Sequence, residues 1–321
     1  MADREARTKR PHAVLTQNID SWSLAEKTVA QMTNTDCAIR LGSSHPICQD
    51  YARAGWNKIG PYAIIADGCS SSPDTDIGAR LVVMAAECGL NGAMPLTSEN
   101  ADDFHEMTIS LASTWAMKMG LPFVSLDATL MTLSTLENGK ILTTIYGDGM
   151  IVAKIPDGLL VMEVSYPRNF PVYPSYLLDL DRTKRMPVGN AIQLNLWRVT
   201  PDAGKQILMV NDGPIKDGMH DCLFAHEFNL PEDGFIAAVT DGAKSFLAPL
   251  NSETTKTNGS VPLEQVLPEL LGFKNFHPGF VQRRMQRFAR DAQKKEWQHY
   301  DDLAMGAIAL RKEDSDGKKE E

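Results

Sequence analysis

Cys48-Gln49-Asp50-Tyr51-Ala52-Arg53-Ala54-Gly55-Trp56-Asn57-Lys58-Ile59-Gly60-Pro61-Tyr62-Ala63-Ile64-Ile65-Ala66-Asp67-Gly68 is the stretch that decides the fold. Two short extended runs, Cys48 to Ala54 and Pro61 to Ala66, flank the connector Gly55 to Gly60. The second run is apolar at nearly every position, as in a buried strand. If the hairpin turns at Asn57 to Gly60, residue 50 lies opposite residue 67. Directly opposed residues have Cβ atoms roughly 4.5–5.5 Å apart. Two carboxylates so placed repel each other unless a divalent cation sits between them.

The motif recurs along the chain. Asp148 stands in Gly147-Asp148-Gly149 after the apolar run Ile141 to Tyr146. Asp241 precedes Gly242 and follows Gly234 to Val239, and Asp301 precedes the run Leu303 to Ile308. An aspartate after one strand and an aspartate before its antiparallel neighbour share one sheet edge. Asp-Gly is also a common turn dipeptide, so an aspartate taken singly can also be a surface turn residue. Taken together they are oxygen ligands without a His or Cys cluster, a set that selects Mg²⁺ or Mn²⁺ over Zn²⁺. Two such ions would lower the pKa of a bridging water and clamp an in-line displacement at phosphorus. No covalent nucleophile is then required, and Ser70-Ser71-Ser72 lacks the Gly-x-Ser-x-Gly elbow of serine hydrolases.

The bulk properties bound the alternatives. The chain has 321 residues, 43% hydrophobic and 23% charged, an ordinary globular balance. A formal net charge of -9 argues against nucleic acid or an anionic membrane as a main partner. No apolar run is long enough for a transmembrane helix, and Met1 to Arg10 lacks the apolar core of a secretory signal. Five scattered cysteines with no C-x-x-C pair suit a reducing, cytoplasmic setting and speak against zinc.

Residues 1–20 read as a flexible polar lead, residues 21–311 as one catalytic domain, and residues 312–321 as a disordered charged tail. Asn251 to Ser260 reads as a mobile surface loop. Helices are expected after Asp74 or Asp76, after Asp102-Asp103, over Val261 to Leu271 and over Phe280 to Trp297. Further strands are expected at 128–135 and 140–146 around Glu137-Asn138-Gly139, then at 158–165, 191–199, 206–210, 234–239 and 303–310. Strands in meandering pairs with helices inserted after each block indicate an α+β fold. Its two antiparallel β-sheets pack as a sandwich, flanked by α-helices on both sides.

From about Thr35 to Leu310 the sequence resembles the metal-dependent protein phosphatase 2C (PPM) family, in a divergent bacterial-type form. The ordered blocks are Gln49-Asp50, Ala66-Asp67-Gly68, Asp127-Ala128-Thr129, Tyr146-Gly147-Asp148-Gly149, Val239-Thr240-Asp241-Gly242 and Asp301-Asp302. The resemblance implies a binuclear Mn²⁺ or Mg²⁺ centre that hydrolyses phosphoserine or phosphothreonine in a phosphorylated protein. By that analogy Asp67, the Gly68 carbonyl, Asp241 and Asp301 are direct metal ligands. Asp50 holds a metal or its water, and Asp148 with Asp241 forms a looser third-metal site.

Several positions depart from the family pattern. Gln49 stands where many members have Glu, Cys69 where His often follows Asp-Gly, Gly149 for the usual Ser and Asp302 for the usual Asn. The usual phosphate-binding arginine upstream of Asp50 is replaced by His45. His45 is either a catalytic group, binding phosphate or protonating the leaving alkoxide, or a plain loop histidine. Arg40 and Arg53 are alternative phosphate binders. Three functions remain open at this stage. They are a metal-dependent protein phosphatase, a pseudophosphatase that binds phosphoproteins on the same fold, and a hydrolase of small phosphoesters. A monomer is the favoured oligomeric state, and Tyr166 to Pro187 matches no recognised motif.

Overall fold

A computed structural model describes residues 32–92, 96–183, 191–214, 223–249 and 259–311. The expected lead (1–20), the expected tail (312–321) and residues 251–258 of the expected surface loop lie outside the described residues.

The hairpin that opens the argument forms as β2 (Tyr51–Trp56) and β3 (Pro61–Ala66), paired from Tyr51↔Ala66 to Trp56↔Pro61. Asn57 closes its turn. The Asn57 N–H donates to Gly60 O at 3.0 Å, and Asn57 Oδ1 accepts the N–H groups of Ile59 and Gly60 at 2.9 and 3.0 Å. A local side-chain acceptor of this kind is why Asn favours turns. The first strand starts at Tyr51 rather than Cys48, because Cys48-Gln49-Asp50 belongs to a loop beside the site.

Preceding the hairpin is β1 (Met32–Arg40). Helices α1 (Thr75–Leu90) and α2 (Ala101–Lys118) follow it, then β4 (Leu130–Thr135), β5 (Ile141–Tyr146), β6 (Gly149–Ile155) and β7 (Gly158–Ser165). A segment of short helical turns leads to β8 (Ala191–Thr200), β9 (Gly204–Pro214), β10 (Leu223–Phe228), β11 (Phe235–Val239) and the two-residue β12 (Phe246–Leu247). Helices α3 (Leu263–Leu270) and α4 (Phe280–Lys294), the short β13 (Gln298–His299) and β14 (Leu303–Arg311) complete the described elements.

The strands form two large antiparallel sheets. A seven-stranded sheet runs β1-β14-β11-β6-β7-β8-β9 and a five-stranded sheet runs β10-β5-β4-β3-β2. They pack face to face where β14 crosses β3. A Cβ built on Gly306 would lie 3.0 Å from Ala63 Cβ and 3.2 Å from Ile65 Cγ2, so at this crossing any side chain would press its neighbours aside by a few tenths of an ångström. On its outer face the five-stranded sheet buries Tyr62, Ile64 and Ala66 against α1 and α2, through Val82, Ala86, Phe104 and Ala112. The seven-stranded sheet buries Val152, Val161, Trp197 and Ala307 against α3 and α4, through Val266, Leu270, Met285 and Phe288. The expected sandwich with helices on both sides is the observed architecture. No helix among the described residues is long and apolar enough to cross a membrane.

Five strands were not expected: β1, β6, β10 and the two-residue β12 and β13. The side chains of β1 from Thr33 to Arg40 are partly exposed and carry no clean alternation of apolar and polar positions. Its Thr35 and Asp36 serve tertiary contacts instead. The Thr35 hydroxyl lies 2.9 Å from Tyr62 O, and Asp36 Oδ2 accepts the N–H groups of Val281 and Gln282 at 2.7 and 3.1 Å. Asp36 thereby satisfies the first turn of α4 from another element. Asp74, expected as a cap, does stand at the N-cap of α1, but with left-handed φ 55° and no side-chain capping bond.

Candidate functional site

The site is built at one rim of the sandwich. Continuing the β2–β3 register one step beyond Tyr51↔Ala66 sets Asp50 opposite Asp67. Beyond β3 the chain touches Ala128 through an isolated bridge at Gly68. The Cys69 N–H donates to Asp127 O and the Thr129 N–H donates to Asp67 O, both at 2.8 Å. These bonds pass on either side of Gly68, so its carbonyl points away from that ladder. In the facing sheet, Val239 opposes both Met150 and Met305. The end of β11 therefore lies between the starts of β6 and β14, which brings Asp241, Asp148 and Asp301 to one edge.

Thr240 joins the two sheets. Its Oγ1 accepts the Ala304 N–H at 2.8 Å and donates to Asp50 Oδ2 at 2.8 Å. The glycines around the aspartates have steric reasons. Gly147 and Gly149 have φ of +97° and +144°, and added Cβ atoms would meet Thr129 Cγ2 at 2.8 Å and Met131 Cε at 2.6 Å. Glycine rather than serine at 149 follows from this conformation. A Cβ on Gly242 would lie 1.7 Å from Asp302 O, so the turn after β11 rests directly on the strand that bears Asp301 and Asp302.

The carboxylates carry the electrostatic signature of crowding. Burial pushes Asp50 up to about 8, against the lowering effect of hydrogen bonds with Asp67 and Thr240. Burial also holds Asp67 well above the usual carboxylate range, and the charges of Asp50 and Asp241 push it further. Asp148 rises to about 7 through burial and then Asp241, with Lys244 opposing. Asp301 is raised by burial and by Asp241. All five expected aspartates thus act on one another from separate segments of chain.

No three Asp, Glu, His or Cys side chains among the described residues stand as a ready-made ligand set. The donors themselves nevertheless fit a cation. Asp50 Oδ1 and Gln49 Oε1 are buried without a hydrogen-bond partner. Orphaned buried oxygens are costly. Together with mutually repelling carboxylates and a carbonyl left out of its ladder, they form a donor set suited to a hard divalent ion.

His45 is held by Asp302. Its Nδ1 lies 3.0 Å from Asp302 Oδ2 and 3.7 Å from Asp301 Oδ1. A carboxylate only accepts, so Nδ1–H is the donor. Asp302 is 2% exposed and also accepts the Gly42 N–H at 2.7 Å and the Gln49 N–H at 2.6 Å. One buried carboxylate thus pins the whole loop that carries His45 and Asp50. Asp301, its neighbour, is half-exposed and accepts the Asp302 N–H at 2.9 Å.

The two arginine candidates differ in their surroundings. Arg53 pairs with Glu87 of α1, with Nε 2.6 Å from Oε2. Arg40 sits at the end of β1 opposite Leu303, with its Nε buried and unpartnered. Its charge lowers the pKa of the buried His299, secondary to the effect of burial itself.

Three features beside the site escaped the sequence reading. Asp127, 2% exposed, accepts Ser72 Oγ at 2.8 Å, Ser175 Oγ at 2.6 Å, and Arg182 Nη1 and Nη2 at 2.8 and 2.6 Å. This clamp fastens part of the unassigned Tyr166–Pro187 stretch to the loop after Asp67. Within that stretch Tyr173 is buried, and burial together with the Cys69 thiol raises its hydroxyl pKa. Lys244 Nζ lies 2.7 Å from Glu163 Oε1, on the side of the cluster near Asp148 and Asp241. Each pairing joins residues far apart in sequence, and a single sequence carries no signal for such partners.

Comparison with known proteins places this geometry in context. No curated protein sequence matches the chain. Similar solved structures include the serine/threonine phosphatase PstP/Ppp of Mycobacterium tuberculosis, 13% identical, covering 87% of this chain and 99% of that one with a TM-score of 0.48. A serine/threonine phosphatase of S. agalactiae is 11% identical over 87% of this chain and 100% of that one, with a TM-score of 0.49. The phosphatase domain of SpoIIE from Bacillus subtilis, with a fragment of its regulatory domain, is 11% identical with a TM-score of 0.48. That match covers 88% of this chain, which spans only 64% of the SpoIIE chain. The protein phosphatase 2C family itself matches residues 42–229, more than half of the 321 residues. The stretch runs from the loop pinned by Asp302, through Asp50, Asp67, Asp127 and Asp148, to the end of β10, and on that match the chain belongs to the protein phosphatase 2C family.

Proposed function

We propose that the protein is a metal-dependent serine/threonine protein phosphatase. The observation that carries the proposal is the meeting of Asp50, Asp67, Asp148, Asp241 and Asp301 from separate segments, with burial and mutual repulsion raising four of them. Asp67, the Gly68 carbonyl, Asp241 and Asp301 would hold two Mn²⁺ or Mg²⁺ ions, and Asp148 with Asp241 a looser third. Bound divalent ions supply a nucleophilic water at neutral pH and neutralise charge building at phosphorus. Thr240 keeps Asp50 turned toward the cluster by donating to its Oδ2. His45, oriented by Asp302 through Nδ1, would as an imidazolium protonate the departing serine or threonine oxygen or hold the phosphate through Nε2–H. A phosphorylated protein would be the substrate, and the described cysteines, all free, suit a reducing, cytoplasmic setting.

The test is hydrolysis of a phosphopeptide and of p-nitrophenyl phosphate with Mn²⁺. Activity lost in EDTA and in Asp67→Asn or Asp241→Asn is the expected result. A second reading, a pseudophosphatase that binds phosphoproteins, is favoured by one observation. Three cationic side chains near the site are already paired: Lys244 with Glu163, Arg182 with Asp127, and Arg53 with Glu87. Calorimetry separates the readings, since a pseudoenzyme binds phosphopeptide without releasing phosphate.

A further inference from the structure

The free edge of the seven-stranded sheet is unlike an ordinary protected edge. Among the described residues β9 pairs only with β8, and no other described strand lies on its outer side. Three of the four consecutive positions 207–210, Ile207, Leu208 and Val210, are exposed by 65%, 51% and 55%. Soluble proteins normally blunt such an edge, because its unpaired N–H and C=O groups template pairing with another chain.

The strand is complementary to itself. An antiparallel copy centred between Leu208 and Met209 sets Lys205 opposite Asp212, Gln206 opposite Asn211, Ile207 opposite Val210 and Leu208 opposite Met209. Opposite charge meets opposite charge, amide meets amide, and apolar meets apolar, the pairings that stabilise antiparallel neighbours. In an unbroken strand this register would fail. Residues an odd number of places apart point to opposite faces, so every opposed pair would be out of phase. A bulge removes the conflict. Leu196 opposes Met209 whereas Trp197 opposes Ile207, so the alternation shifts by one across Leu208. Positions 207 and 210 then share a face, as do positions 205 and 212, and their edge-facing backbone groups come into phase.

We propose that β9 is the interface of a homodimer, in which two copies of the chain join edge to edge across a two-fold axis near Leu208. The result is a single antiparallel sheet continuous through both subunits. Such an isologous contact needs one self-complementary patch and no second surface. It replaces the monomer favoured by the sequence and does not depend on the phosphatase reading, because β9 carries none of the site residues.

Sedimentation equilibrium and light scattering on the full chain provide the test. The expected mass is about twice 35.4 kDa. Val210→Lys places a charge opposite Ile207 and should return the single-chain mass with an unchanged circular dichroism melt. Lys205→Asp and Asp212→Lys each set like charges face to face at both ends of the pairing and should raise the dimer Kd about tenfold. Lys205 also lies over the Trp197 ring at 4.2 Å, so its single variant has a second effect. The double variant Lys205→Asp/Asp212→Lys restores opposite charges, and recovery of the dimer is the expected signature. A wild-type protein of single-chain mass overturns the proposal, as does a dimer indifferent to Val210→Lys. Failure of the double variant to recover overturns the register.

Discussion

Replacing Arg182 with methionine removes both guanidinium bonds to Asp127 while keeping an apolar stem of similar length. Asp127 is 2% exposed, and the Arg182 side chain is 19% exposed. The pair is therefore well screened from water. Asp127 would keep Ser72 and Ser175 as donors but lose its counter-charge. Breaking a buried pair by removing one partner costs about 3–5 kcal/mol. The contact of Arg182 with the Tyr176 ring, at 4.2 Å, adds up to about 1 kcal/mol to the loss. At about 2–4 °C per kcal/mol the melting temperature should fall by roughly 6–24 °C. Urea denaturation of the wild type, Arg182→Met, Asp127→Asn and the double variant gives the coupling directly. A coupling of about 2–3 kcal/mol is expected for two charge-assisted bonds. A coupling below about 0.5 kcal/mol would show that the clamp does not hold the 174–183 segment, and the argument would fail.

Two further outcomes follow from the site. Asp50 and Asp148 are raised from 3.8 to about 8 and about 7, so each keeps a proton in the fold that the unfolded chain has already released above pH 4 or so. In chelator, the cluster's contribution is then most favourable below that pH and is lost as pH rises through 7 to 8. The melting temperature should decline over that range, decline less in Asp50→Asn, and recover most strongly with Mn²⁺ at the alkaline end. A flat profile in chelator, identical in wild type and Asp50→Asn, refutes the electrostatic account. Separately, Gly242→Ala drives a methyl into the Asp302 carbonyl, 1.7 Å from the ideal Cβ, and should leave little soluble protein or a melt lowered by about 10 °C or more.

Local chemistry made part of this molecule legible. The β2–β3 hairpin was readable because its turn residues and its flanking strands fix one register, and that register brought Asp50 to Asp67 before any coordinates. Asp148, Asp241 and Asp301 were readable because each borders an apolar strand. What stayed hidden depends on distance in sequence. Asp127 and Arg182 are joined only by folding, as are Lys244 and Glu163. In Asp301-Asp302 the order of residues alone could not reveal which carboxylate is buried beneath His45 and which stands beside Asp241. β1 escaped because its polar residues are used in tertiary contacts, as Asp36 is at the start of α4. β6 escaped because it follows β5 through a tight Gly-Asp-Gly turn that leaves no loop to mark its beginning.

The place of β14 has a consequence for how the protein comes into being on the ribosome. β1 and β11 touch β14 and not each other, so the strand between them emerges long after both. Until Leu303–Arg311 has cleared the exit tunnel, β1 has no neighbour in its sheet and Asp301 is not beside Asp241. A nascent chain arrested before that point has the helical hairpin and the five-stranded layer available to it, yet its cluster of carboxylates still lacks Asp301, so the rim is completed only as this strand is made.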